Sequence, residues 1–171
     1  MVGRLPEYLD IRKVFLQQKE ISGVIDLVDL TRLQGVLSDN IGKTQIDLAF
    51  SVNDSQQRLI SGCIRANLNV LCQRCLESLE ISIEDEFSLV VVDSEESAAK
   101  LDDSLDPWVC IDHKLGLAGL VEEQLILCVP IVNYHQDPKC VESLGYDPES
   151  SEELIDEKVQ NPFAVLQKLK T

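Results

Sequence analysis

Three consecutive stretches in the middle of the chain alternate apolar and polar side chains with a period of two. They cover residues 45–52, 60–70 and 79–91. Successive side chains of a β-strand point to opposite faces, so the pattern predicts three strands that each bury one face. Turn-forming residues at positions 53–56 predict a hairpin between the first two strands. We therefore expect an antiparallel β-meander.

Residues 115–128 have apolar side chains at helical spacing. These recur at intervals of one, three or four positions, at Leu117, Leu120, Val121, Leu125 and Cys128. The spacing predicts a helix with one apolar face, on which Glu122 and Glu123 point outward. Pro130 ends this helix, because the residue before a proline is pushed out of the α region.

Shorter elements are expected on both sides of the meander. We predict a helix over residues 8–18, a strand over residues 20–27, and a short helix over residues 31–35 capped by Asp29. A helical turn at residues 95–100 and a strand at residues 108–111 follow the meander. The elements together predict an α+β fold, an antiparallel β-meander packed against one main helix, with short N- and C-terminal helices.

The domain organisation follows from where the apolar residues lie. Residues 1–141 contain enough of them for one core and are expected to form a single α+β domain. Residues 142–160 are acidic and poor in apolar groups, which predicts a flexible linker. A C-terminal helix is predicted over residues 161–171, where Phe163 could anchor a partner or dock onto the chain's own core.

The formal net charge of −15 is concentrated in the second half of the chain. Residues 1–80 contain nine Lys and Arg against ten Asp and Glu, whereas residues 81–171 contain six against twenty. Nucleic-acid binders neutralise phosphates with Lys and Arg, so this composition favours a basic protein as the partner. Direct RNA contact stays open, because Arg58 and Arg65, expected on the polar face of one strand, could form a basic patch with Arg74. The alternative is that these arginines only improve solubility.

Nothing in the sequence predicts export or membrane insertion. The N-terminal residues lack the apolar run of a signal peptide, and the longest apolar stretch, residues 125–132, is well short of the roughly 20 residues that span a bilayer. We therefore expect a soluble cytoplasmic protein whose six cysteines are reduced.

The strongest local motif is Cys72-Gln73-Arg74-Cys75, in the connection between two predicted strands. This spacing lets both thiolates face one point, as in the knuckles that hold structural zinc. His135 and Cys140 are the best candidates for the other two ligands. The alternative is that the four are reduced residues in two surface loops. A redox motif is less favoured, because its usual strand-to-helix context is missing.

The other cysteines and the remaining polar residues do not suggest catalysis. Cys63, Cys110 and Cys128 are interpreted as packing residues. The sequence contains no Gly-Lys-Ser/Thr phosphate loop and no Gly-x-Ser-x-Gly motif, and it has only two histidines. We therefore expect no enzyme activity.

Several short segments occur along the chain in a characteristic order. They are Gly23 followed by Arg32-Leu33, the cysteine motif, residues 121–132, His135 with Cys140, and residues 161–166. In this combination the chain resembles the YceD family, also called large ribosomal RNA subunit accumulation protein. The resemblance implies a cytoplasmic role in the synthesis, processing or stability of 23S rRNA, through binding to the large-subunit assembly machinery. Two alternatives are a metal-dependent RNA-processing enzyme and a zinc-containing module that shields a basic ribosomal protein.

Overall fold

A computed structural model describes residues 3–145 and confirms the α+β class. The α-helices of this range are α1 (Ile11–Leu16), α2 (Glu95–Ala98) and α3 (Leu117–Cys128). The strands are β1 (Gly3–Arg4), β2 (Tyr8–Asp10), β3 (Glu20–Asp26), β4 (Lys43–Val52), β5 (Arg58–Leu71), β6 (Ser78–Val92), β7 (Asp106–Val109) and β8 (Lys114–Gly116). Short 3-10 helices lie at Leu27–Asp29, Leu33–Gly35 and Pro138–Leu144. None of the described helices is long and apolar enough to cross a membrane.

Six strands form the main sheet, in the order β1-β3-β4-β5-β6-β7. The central strands β3 to β6 are antiparallel, and the predicted meander of β4, β5 and β6 is confirmed. The edge strands β1 and β7 run parallel to their neighbours. They are two and four residues long, too short for a period-two pattern to reveal them. A separate ribbon pairs β2 with β8.

The core lies on one face of the main sheet. Phe50 of β4 is buried there and meets the ring of Phe15 of α1 edge-to-face, with centroids 5.5 Å apart. Leu120 and Leu125 of α3 are fully buried. Each such side chain contributes about 1.5–3 kcal/mol through removal of apolar surface from water, so α1 and α3 hold this face of the sheet closed.

A glycine in the middle of β5 has a packing role. Gly62 lies directly opposite Phe87 of β6. A Cβ atom at position 62 would lie 2.3 Å from Cζ of the Phe87 ring. The ring therefore occupies the space that a side chain would need, which accounts for a glycine inside a long strand.

The first helix is shorter than the predicted range of residues 8–18. Tyr8–Asp10 pair with Lys114–Gly116 as β2 and β8, so these residues are extended. Asp10 then begins α1 by accepting a hydrogen bond from the backbone N–H of Arg12 at 3.0 Å. The same pairing moves the start of α3 from the predicted residue 115 to Leu117.

The prediction that Asp29 caps a helix over residues 31–35 is wrong. Asp29 accepts a hydrogen bond from Nη2 of Arg4 at 2.7 Å instead. The 3-10 helix Leu33–Gly35 has no capping side chain of its own at its first residues. The backbone N–H groups at its start donate to an acceptor residue elsewhere in the fold, so a local capping side chain is unnecessary.

That acceptor is Glu122 of α3, so the prediction that Glu122 points outward is also wrong. One carboxylate oxygen, Oε1, accepts hydrogen bonds from the backbone N–H groups of Arg32 and Leu33, the second at 3.2 Å. Glu122 is 7% exposed, whereas its neighbour Glu123 is exposed as expected. A buried carboxylate is tolerated here because backbone donors satisfy it.

The minor predicted elements are found with small shifts. The strand over residues 20–27 is β3, and the helical turn at residues 95–100 is α2, capped by the Ser94 hydroxyl. The strand expected at residues 108–111 begins earlier, as β7, and includes Pro107. Proline is accepted there because β7 is an edge strand.

Contacts divide the chain into two compact units, Met1–Tyr134 and His135–Thr171. In the second unit, Pro138–Leu144 form a 3-10 helix, which extends into the first residues of the predicted linker over residues 142–160. Asp137 begins it by accepting a hydrogen bond from the N–H of Lys139 at 2.9 Å. The predicted linker beyond residue 145 and the predicted helix of residues 161–171, with Phe163, lie outside the described residues.

Replacing Glu122 with alanine is expected to destabilise the fold by about 2–4 kcal/mol, because two backbone N–H groups would lose their buried acceptor. Glu123→Ala is the matched control and is expected to cost less than about 1 kcal/mol, since its exposed ion pair with Arg32 is weak. Urea unfolding followed by circular dichroism measures both free energies. Equal losses in the two variants would contradict the capping role of Glu122.

Candidate metal centre

The cysteine motif forms a tight turn between β5 and β6. The N–H of Leu76 donates to the carbonyl of Cys72 at 2.8 Å, and the N–H of Cys72 donates to the carbonyl of Glu77 at 2.9 Å. Cys72 is fully buried and Cys75 is 2% exposed. Leu76 closes the turn with a φ of 61°, a conformation that non-glycine residues rarely adopt. The turn therefore holds both thiols in a defined, buried position.

The segment that follows α3 is hydrogen-bonded to this turn. The N–H of Gln73 donates to the carbonyl of Asn133 at 2.9 Å, and its Nε2 donates to the carbonyl of Ile131 at 2.8 Å. Asn133 is buried and donates to the carbonyl of Pro130 at 2.9 Å. The two bonds from Gln73 keep the end of the segment beside the cysteine turn, and the Asn133 bond lies within the segment itself.

Arg74 and Tyr134 make a further contact between the same two segments. The guanidinium carbon of Arg74 lies 4.9 Å from the centroid of the Tyr134 ring, a cation–π geometry. His135 follows Tyr134 directly in the chain. Sequence reasoning missed Gln73, Asn133 and Tyr134, because their partners lie more than fifty positions away.

Cys72, Cys75, His135 and Cys140 form a cluster. Each offers one ligand atom, a sulfur or an imidazole nitrogen, and these atoms lie within 4.8 Å of one another. In a tetrahedral site with Zn–S distances of about 2.3 Å, neighbouring sulfurs are about 3.8 Å apart, so small side-chain adjustments would suffice. Thiolates and imidazole suit zinc far better than Mg²⁺ or Ca²⁺. The structure thus brings together the four residues singled out in the sequence, with a donor set that fits zinc.

The other three cysteines lie elsewhere. Cys63 is half-buried on β5. Cys110 is buried, its thiol donates to the carbonyl of Lys114 at 3.4 Å, and burial raises its pKa. Cys128 of α3 donates to Oδ2 of Asp85 at 3.2 Å. Burial, followed by the carboxylate of Asp85, raises the pKa of Cys128 to about 11. A thiol with such a pKa is a poor nucleophile, in keeping with its interpretation as a packing residue.

Arg58 and Arg65 do not share a face of the sheet, so the expectation that they do is wrong. They are seven positions apart in a strand of regular register, and their side chains therefore point to opposite faces. Arg65 is bound by two carboxylates, Oδ2 of Asp47 at 3.0 Å and Oε1 of Glu84 at 2.8 Å. Its charge is compensated within the protein, which weakens the case for a patch built on Arg65.

Fold and site together define an α+β protein with a Cys/His cluster of metal-ligand chemistry. The family described as large ribosomal RNA subunit accumulation protein YceD matches residues 60–170, more than half of the chain. The protein of that name from Haemophilus influenzae is 30% identical over 173 residues, which cover 98% of this chain and 97% of the relative. No solved structure matches the chain. The chain belongs to the YceD family.

Cys128 is expected to react with iodoacetamide at pH 8 about tenfold more slowly than a thiol of ordinary pKa near 9, because a pKa of about 11 leaves few thiolates and the higher nucleophilicity of a more basic thiolate offsets only part of that loss. Asp85→Asn removes the negative charge beside the thiol while keeping an acceptor oxygen, so it should lower the pKa of Cys128 and speed the reaction several-fold. Peptide mass spectrometry after timed labelling measures the rate, with Cys110 as an internal reference. No acceleration in Asp85→Asn would mean that burial alone sets the pKa.

Proposed function

We propose that this protein is a cytoplasmic ribosome biogenesis factor that supports the synthesis, processing or stability of 23S rRNA. The observation that carries the proposal is membership of a family named for accumulation of large-subunit ribosomal RNA, with a relative of that name aligned over almost the whole chain. The length of the alignment matters, because a function inferred from a single shared motif would be far less specific.

In this proposal the protein acts by binding and not by catalysis. Within residues 3–145, the cluster of Cys72, Cys75, His135 and Cys140 is the group whose geometry suits a metal. Catalytic zinc sites keep one coordination position for water or substrate, whereas four protein ligands close the site. This argues for a structural metal and against the alternative of a metal-dependent RNA-processing enzyme.

We propose that the cluster holds one structural Zn²⁺. Three thiolates and one neutral imidazole around Zn²⁺ carry a net charge of −1, and Arg74, between the two cysteines of the turn, supplies a positive charge in the same segment. Bound zinc would add to the Gln73 hydrogen bonds that hold the turn to residues 131–133. Zinc binding would thereby stabilise the cysteine turn more than the small hydrophobic contacts of a turn can.

The proposed partner is a basic protein of the large-subunit assembly machinery. Residues 81–171 carry twenty acidic against six basic residues, a distribution that repels RNA phosphates and attracts basic surfaces. The second candidate, a zinc-containing module that shields a basic ribosomal protein, is supported by the same charge together with the Cys/His cluster.

Depleting the protein from cells is expected to lower the ratio of 23S to 16S rRNA, measured by quantitative Northern blotting of mature and precursor species. Re-expression of the full chain should restore the ratio. The purified protein is expected to leave precursor 23S rRNA intact with or without added Zn²⁺. An unchanged ratio after depletion would overturn the proposed function, and specific RNA cleavage lost in a point variant would overturn the binding mechanism.

The full-length protein, purified without chelator, is expected to contain close to one equivalent of zinc by plasma mass spectrometry. Cys72→Ser should lower the content at least tenfold, because it removes one of four ligands. Cys63→Ser, half-buried on the sheet, is the matched control and should keep the metal. Replacement by Co²⁺ should produce the visible absorption of a tetrahedral thiolate site. Equal zinc in both variants would refute the assignment.

A further inference from the structure

The two faces of the central sheet differ in how deeply their side chains are buried. Along β5, residues at even positions from Ile60 to Val70 are buried, while those at odd positions are exposed or half-buried. The core helices α1 and α3 lie on the buried side. The other side, which we call the open face, consists of the outward residues of β3, β4, β5 and β6.

The strand register gives the open face a floor of small side chains. Ala49, Ser61 and Ser88 lie side by side across β4, β5 and β6. A polar face of an antiparallel sheet usually carries longer side chains that cover the backbone. The centre of the open face has only small side chains instead. The small residues leave a shallow concavity of about 610 Å³.

Carboxylates surround this concavity. Glu20 borders it from β3, Asp47 from β4 and Glu86 from β6. Arg65, the nearby cation, is already bound to Asp47 and Glu84. Glu20 and Glu86 are exposed and make no ion pair with any residue of the described range. The open face therefore combines accessible backbone with uncompensated negative charge.

We propose that the open face binds a lysine- and arginine-rich segment of the protein partner. This proposal rests on the proposed function, in which the partner is a basic protein. β3 and β6 are three strand spacings apart, about 14 Å, and the register places Glu86 two residues along β6 from Ser88, which lies in line with Glu20, so Glu20 and Glu86 are about 16 Å apart. Residues i and i+4 of an extended segment are about 13 Å apart on the same side, and the long side chains of arginine and lysine can span the remaining difference of about 3 Å. Two basic side chains of one extended segment can then reach the carboxylates of Glu20 and Glu86, while the segment lies over the floor of small side chains. Charge-assisted hydrogen bonds hold the basic side chains to the two carboxylates.

The test uses the full-length protein and a fluorescein-labelled twelve-residue peptide of alternating arginine and serine. Fluorescence anisotropy measures its affinity for the wild type and for the double variant Glu20→Gln, Glu86→Gln. The matched control is Asp112→Asn, Glu123→Gln, which removes the same charge outside the open face. Ala49→Lys is a further variant that puts a positive charge on the floor. Thermal unfolding by circular dichroism checks that every variant is folded.

The double variant at positions 20 and 86 is expected to weaken peptide binding about three- to tenfold, the effect of losing two partly exposed ion pairs. Ala49→Lys should weaken it to a similar extent, and the control variant less than twofold. Equal weakening in both double variants would overturn the proposal, because general acidity would then explain binding. No peptide binding by the wild type, or occupation of the face by residues 146–171 detected by crosslinking, would also overturn it.

A last comparison separates this surface from the proposed function. If depletion lowers the 23S rRNA ratio and the Glu20, Glu86 variant restores it as well as the control variant does, the protein supports 23S rRNA but not through the open face. If depletion leaves the ratio unchanged, the proposed function fails whatever the peptide data show. Restoration by the control variant alone would support both.

Discussion

The pairing of β5 with β6 is the constraint on which the rest of the structure depends. The two strands stay in one register from Arg58 opposite Val91 to Leu71 opposite Ser78. A shift of β6 by one residue would turn its core side chains to the solvent side, so the buried face selects this register strongly. The same register fixes the floor of the open face and places the cysteine turn at the end of the hairpin.

Polar contacts as well as apolar ones attach helix α3 and the segment that follows it to the rest of the fold. Glu122 joins α3 to the backbone at Arg32 and Leu33, and Gln73 joins the cysteine turn to Ile131 and Asn133. Buried hydrogen bonds of this kind are directional, and removing one partner leaves the other unsatisfied. They define the position of α3 and its following segment more narrowly than packing of leucines would.

The two proposed binding features have different physical origins. Zinc binding would depend on thiol and imidazole donors gathered by the fold, independently of net charge. Docking of a basic segment would depend on carboxylates that have no compensating cation, so salt should weaken it. Zinc binding and docking of a basic segment can therefore be disturbed separately.

The sequence by itself determined the meander, the main helix, the candidate ligand types and the family resemblance, because periodicity and short motifs are local signals. It did not determine the parallel edge strands, the buried position of Glu122, the opposite faces of Arg58 and Arg65, or the Arg74–Tyr134 contact. These depend on partners far away in the chain. Only the tertiary structure brings His135 and Cys140 within ligand distance of Cys72 and Cys75, because a gap of 59 residues contains no local signal for proximity.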